Sequence, residues 1–204
     1  SIERDYVLTW VLAELSRHSS LGTWAILKGG TALKKLYYND WRYSEDLDFT
    51  LATPWPSEAI ATAVREVCAA CTKSAGLEIN IATEEPRYDG ERLRNVTFYL
   101  AYVGPLKRTR RPRELKLDFT ADEMIVSKPD ARSLLRVYSD EITPPLQILS
   151  YPIEEILGEK MRTILQRTEP RDLYDVWRLL RDHAEEMNLT SVKSVFEDKC
   201  RFKN

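Results

Sequence analysis

At 204 residues, with 43% apolar content and a net charge of −2, the chain can form one domain or a catalytic lobe with a smaller appendage. The near-neutral balance excludes a whole-molecule field that would gather polyanions, so any nucleic-acid contact has to come from local clusters. No apolar run approaches the roughly 20 residues that a bilayer span needs, no secretory signal is visible, and the sparse set Cys68, Cys71 and Cys200 points to a reducing, cytoplasmic home.

Residues 2–17 carry Tyr6, Val7, Trp10, Val11 and Leu15 along one side, which predicts an amphipathic helix. The apolar run from Trp24 to Leu27 reads as a short buried strand. Gly29 and Gly30 follow, then a helical segment with Leu33 and Leu36 on one side, then a second strand from Asp46 to Leu51. Pro54, Pro56 and Ser57 punctuate the entry to a long helix closed by Gly76, with Ser57 as its expected N-cap. Cys68 and Cys71 lie one turn apart inside it and read as small packed residues rather than a zinc or redox pair. Strands are expected at Leu77–Ala82, Asn95–Val103 and Leu115–Thr120, with Asp89-Gly90 as a turn. From Tyr151 the character becomes helical: one helix entered at Pro152 and running to about Gln166, one from Arg171 to Asp182, one from Thr190 to Cys200. The order predicts an α+β protein with a mixed sheet, divided into a core of residues 1–150 and a C-terminal helical lobe of residues 151–204.

The chemistry concentrates between Lys28 and Thr50. Side chains alternate along a strand, so Leu47, Phe49 and Leu51 share one face and Asp46, Asp48 and Thr50 the other. Carboxylates side by side repel unless a cation lies between them, and hard oxygen ligands suit Mg²⁺. Gly29 and Gly30 can take backbone conformations closed to other residues, letting their amides approach a phosphate where the helix begins. Leu115–Thr120 repeats the alternation and puts Asp118 on a polar face. A two-metal phosphoryl-transfer site draws carboxylates from more than one strand, so Asp118 is the expected third acid beside Asp46 and Asp48.

In the helical lobe, Lys160 falls on the apolar stripe formed by Ile156, Leu157 and Ile164. A buried ammonium needs a partner, so it either snorkels outward or points into a polar cavity, where a triphosphate would suit it. In the next helix Leu173, Val176, Trp177 and Leu180 read as the packed face, with Asp172 and Asp175 along its edge. The helix dipole alone would explain an acid in that first turn. Lys107, Arg108, Arg110, Arg111 and Arg113 put five positive charges in seven residues; these are candidate contacts to RNA phosphates, against a solvated hairpin tip.

The string Lys28-Gly29-Gly30-Thr31-Ala32-Leu33, followed by Arg42-Tyr43-Ser44-Glu45-Asp46-Leu47-Asp48-Phe49, resembles the first motif of the AbiEii/AbiGii nucleotidyltransferase toxins, a family that includes the MenT-type toxins and belongs to the DNA polymerase β-like superfamily. Fifteen residues separate Gly30 from Asp46, which is long for the superfamily and usual for this branch. The helix with Glu155 and Lys160, followed by Arg171-Asp172 and Asp175, resembles later motifs of the same family. The resemblance implies a polymerase β-like nucleotidyltransferase core, Mg²⁺ at Asp46, Asp48 and Asp118, and nucleotide contacts from Lys28, Gly29, Gly30, Thr31, Ser44 and Lys160. It implies a catalytic acid at Asp172 or Asp175, an NTP substrate, an acceptor at the 3′ end of tRNA, a toxic outcome and a cognate antitoxin. Two rivals stand beside it: the same chemistry on a small molecule or a protein side chain, and a catalytically silent module that binds nucleotide or RNA.

Overall fold

The computed structural model describes residues 1–106, 112–140 and 146–203. The chain forms two compact units, one of Ser1–Glu123 with Ala131–Leu149, the other of Met124–Asp130 with Ser150–Asn204. No helix among the described residues is long and apolar enough to cross a membrane.

The first unit is built on a mixed seven-stranded sheet. In chain order come α1 (Ile2–Arg17), a helical turn α2 (Leu21–Trp24), β1 (Ala25–Lys28), α3 (Gly29–Ala32) running on as a π-helical turn over Leu33–Tyr37, β2 (Asp46–Leu51), α4 (Ser57–Ala75), β3 (Glu78–Asp89), β4 (Arg92–Val103), β5 (Arg113–Thr120), β6 (Asp130–Ser133) and β7 (Gln147–Ser150). The strand order is β3-β4-β5-β2-β1-β7-β6. β2 pairs parallel with β5, while β1/β2, β3/β4 and β4/β5 are antiparallel. One sheet face is sealed by Leu27, Phe49, Phe119, Val96, Leu47, Leu117 and Phe98, all fully buried. The rings of Phe49 and Phe119 stack with centroids 5.3 Å apart, and Phe98 meets Phe119 edge-on at 6.1 Å. Each such side chain contributes about 1.5–3 kcal/mol by leaving water, which holds the register of the opposite, polar face.

Several boundaries differ from those read in the sequence. β3 and β4 are each 12 residues long, because the turn at Gly90 (φ 58°) lets the hairpin zip past its apolar stretch. In α1, Val7, Leu8, Val11, Leu12 and Leu15 form the buried stripe, and Tyr6 and Trp10 fall at its edge, in edge-on contact with each other. Pro56 rather than Ser57 occupies the N-cap of α4; the Ser57 hydroxyl is instead shared with that of Tyr88 at 2.6 Å. Gly76 (φ 62°) ends the helix in the left-handed conformation. Cys68 and Cys71 are buried free thiols within α4. Burial pushes Cys68 up to about 11 and Cys71 higher still, which leaves both inert at neutral pH.

The second unit packs α5 (Ile153–Gln166) against α6 (Pro170–Asp182) and α7 (Leu189–Lys203). α5 and α7 approach closely at Gly158, where a Cβ would stand 2.7 Å from Val195 Cγ1. Glu155 and Lys199 are both fully buried and paired at 3.1 Å. Glu155 also accepts the amides of Val126 (3.0 Å) and Ser127 (2.5 Å), while Lys199 donates to the Met124 carbonyl at 2.8 Å. This network stitches the segment Met124–Asp130 to the helices. α6 inverts the pattern expected of it. Asp172, Asp175 and Leu179 face inward, while Leu173, Tyr174, Trp177 and Leu180 are exposed.

Candidate active site

The polar face of the sheet carries a row of charged and hydrogen-bonding side chains across four strands. Register places Lys28 of β1 opposite Asp48 of β2, Asp48 opposite Asp118 of β5, and Asp118 opposite Thr97 of β4. The adjacent row on the same face sets Asp46 beside Lys116. Asp118 is turned toward β4, where its Oδ1 accepts from the Thr97 hydroxyl and from Asn95 Nδ2 at 3.4 Å. Burial raises the Asp48 carboxyl above the ordinary carboxylate range, Asp46 and Asp118 push it the same way, and Lys28 and Lys116 oppose the rise. A buried acid with two further carboxylates on its face is an arrangement that a divalent cation relieves.

Among the described residues, no group of three or more His, Cys, Asp or Glu side chains is drawn together as a metal shell. Asp118 is engaged with β4, Lys28 flanks Asp48 on the far side from Asp118, and Lys116 stands opposite Asp46. The donor set nevertheless suits a hard divalent ion. It consists of carboxylate oxygens from two neighbouring parallel strands on one face, with space kept open at Gly29, where a Cβ would lie 3.4 Å from Asp48 Oδ2.

The glycine turn follows directly from β1. Gly29 has φ 71°, a conformation that side chains other than glycine's disfavour. The next glycine is needed for proximity: a Cβ on Gly30 would stand 3.0 Å from Arg42 Nη2 and 3.5 Å from Ser44 Oγ. The segment leading into β2 therefore folds back over the turn and brings a guanidinium and a hydroxyl to it. Thr31 is fully buried, and its hydroxyl donates to the backbone carbonyl of Asp46. It ties the turn to the start of the acidic strand.

In the second unit, Lys160 donates to Asp172 Oδ1 at 2.9 Å and pairs with Asp175 Oδ2 at 2.8 Å. All three side chains are buried. Neither snorkelling nor an open cavity describes this lysine, because two carboxylates from α6 hold its ammonium. For Asp172, burial acts to raise the carboxyl, but Lys160 outweighs it, helped by Arg167 at 3.3 Å and by Arg171, and the net shift is downward. The pairing also accounts for the inverted helix, since α6 must turn its acids inward to reach Lys160.

Of the basic run, Lys107, Arg108, Arg110 and Arg111 lie outside the described residues. Arg113 opens β5 and pairs with Glu3 at 3.3 Å. The alternation that exposes Asp118 also puts Lys116 on its face, although sequence reasoning gave that lysine no role. Sequence reasoning passed over the orienting pair Asn95 and Thr97, which depend on the β4/β5 register. It also passed over Arg4, for which no local signal exists.

The model of the nucleotidyl transferase AbiEii toxin family, a family of type IV toxin–antitoxin systems, matches residues 10–204. The chain belongs to this family. Membership makes it a toxin-family nucleotidyltransferase and implies an antitoxin partner. Among solved structures it is similar to JHP933 from Helicobacter pylori, at 20% identity and a TM-score of 0.62 over 97% of this chain and 72% of that one. It is also similar to MenT4, a nucleotidyltransferase toxin from Mycobacterium tuberculosis H37Rv, at 19% identity and a TM-score of 0.61 over 98% of this chain and 66% of that one. At such identities the likeness shows the shared fold. No protein with a curated description matches the chain.

Proposed function

We propose that the row on the polar face is a Mg²⁺-dependent nucleotidyl-transfer site that moves an NMP from an NTP to an acceptor hydroxyl, with the 3′ end of tRNA as the acceptor and the cytoplasm as its place of action. One observation carries the proposal: Asp48 stands directly across from Asp118 on a parallel neighbour, with Asp46 one row along and the Gly29-Gly30 turn beside them. Asp46, Asp48 and Asp118 would hold the cation, which when bound neutralises phosphate charge and lowers the barrier to attack at phosphorus. Lys28, the Gly29-Gly30-Thr31 turn and Ser44 grip the triphosphate. Asn95 and Thr97 both hold Asp118 Oδ1 and so fix the orientation of that carboxylate. In the reaction the acceptor oxygen bonds to the α-phosphorus, the bond from that phosphorus to the bridging oxygen breaks, and pyrophosphate leaves with the electron pair. The hydroxyl proton passes to a carboxylate or to water. Lys160, Asp172 and Asp175 are engaged with one another in the second unit and are given no step in this reaction.

The test is a panel of α-labelled NTPs incubated with total RNA, an aminoglycoside mixture and cell lysate. Label should appear on RNA at its 3′ end and vanish with Asp48→Ala. Label on drug or protein would move the acceptor to the first rival class. Full toxicity of Asp46→Ala and Asp48→Ala, with no label anywhere, would overturn the enzymatic reading.

A further inference from the structure

Three consecutive residues in the first turn of α1 reach three different elements of the first unit, and one of them, Arg4, reaches the proposed site. Glu3 Oε2 pairs with Arg113 at the start of β5 (3.3 Å), and Glu3 Oε1 accepts the Leu106 amide at 3.1 Å. Arg4 Nε donates to the Glu45 carbonyl at 3.2 Å, just before β2, with Nη1 3.7 Å from the Glu45 carboxylate and Nη2 4.0 Å from Asp46 Oδ1. Asp5 pairs with Lys35 in the π-helical turn at 2.6 Å and accepts the Tyr138 hydroxyl at 2.5 Å. Successive helix residues point about 100° apart, so a helix end makes all three contacts only when it is laid across these elements.

The three contacts differ in kind. Asp5 and Lys35 are almost wholly buried, at 2% and 1% exposure, and form a fixed anchor. Arg4 is held firmly through a main-chain carbonyl but meets its carboxylates at longer range, with a quarter of its side chain in solvent. A guanidinium so placed stands against Asp46 as a weak, replaceable counter-ion.

We infer that Arg4 is a positioning residue of the site, a resident cation that balances Asp46 and competes with the divalent ion. The inference rests on the proposed metal role of the acid row. The positive charge of Arg4 then sets how tightly the ion binds, while Asp5 and Lys35 keep α1 in place when Arg4 lets go.

Mn²⁺ serves as the probe, titrated into the nucleotide-free full chain and followed by the electron paramagnetic resonance of free Mn²⁺. Arg4→Gln should tighten Mn²⁺ about fivefold, the worth of a well-placed exposed ion pair. Arg4→Lys should restore wild-type affinity. Glu45→Gln, which takes the Glu45 carboxylate away from Arg4 and keeps its main-chain contact, should weaken Mn²⁺ binding and carries the test if the Arg4 variants fail to fold. Opposite shifts in Arg4→Gln and Glu45→Gln support the inference; shifts of the same sign, or no shift in a folded Arg4→Gln, overturn it. A wild-type chain that binds no Mn²⁺, or an Asp48→Asn variant that binds as wild type, sinks the metal site itself.

Discussion

Replacing Lys160 by Met isolates the buried cluster in the second unit. Lys160, Asp172 and Asp175 are 6%, 4% and 0% exposed, with the ammonium 2.9 and 2.8 Å from the two carboxylates. Methionine keeps the volume of the stem and removes the charge, so both acids lose the cation that they were turned inward to meet. Removing one partner of a buried ion pair costs about 3–5 kcal/mol. Arg167 still reaches Asp172 at 3.3 Å, but its side chain is 54% exposed and compensates little. For a chain of this length the loss lowers the melting temperature by roughly 6–20 °C. Urea unfolding followed by far-ultraviolet circular dichroism should show the same loss as a shift in midpoint at constant slope. Adding Asp175→Asn to Lys160→Met removes one of the two carboxylates that faced the ammonium and should recover part of it, giving a coupling energy above about 1 kcal/mol in the double-mutant cycle. A Lys160→Met variant within about 1 kcal/mol of wild type would refute the reasoning, since such an ammonium could not be held by two buried carboxylates.

Two further outcomes follow from α6 and its acids. Trp177→Gln should leave the midpoint nearly unchanged, whereas Leu179→Ala, at a fully buried position, should cost about 2–4 kcal/mol; the reverse order in thermal melts would restore the orientation read from the sequence. Because the folded Asp172 carboxyl lies below its ordinary value, its contribution to stability is present in full above about pH 4 and is lost as the pH falls through the folded value. Asp172→Asn should therefore be less stable than wild type at neutral pH and show a flatter loss of stability in acid. Parallel pH profiles for the two chains would contradict the assignment.

The acidic strand and the glycine turn could be read from the sequence because both are local. Alternation in Asp46–Leu51 sorts acids from apolar residues without reference to any partner, and a Gly-Gly pair between a strand and a helix announces an unusual backbone. Asp118 was legible by the same alternation, but its place directly across from Asp48 was not, since register between β2 and β5 is set by the packed face of Phe49, Phe119 and Leu117. Lys160 was conspicuous as a charge on an apolar stripe. What it meets was not, because its partners lie on another helix.

α6 marks the boundary most clearly. Its periodicity required an amphipathic helix, and Leu173, Val176, Trp177 and Leu180 formed the obvious inner face. The chain buries Asp172, Asp175 and Leu179 instead, because a desolvated ammonium demands carboxylates more strongly than an exposed leucine stripe demands cover. Strands β1 to β5, the long helices, the turn and the paired acids were thus determined by the amino-acid order itself, since period and backbone preference act over a few residues, whereas the short β6, β7 and α2 were not read from it. Which helix face turns inward, which acid stands beside which, and the reach of Arg4 to Asp46 were decided by tertiary structure. Those choices depend on charges far apart along the chain, whose energies exist only once the elements have met.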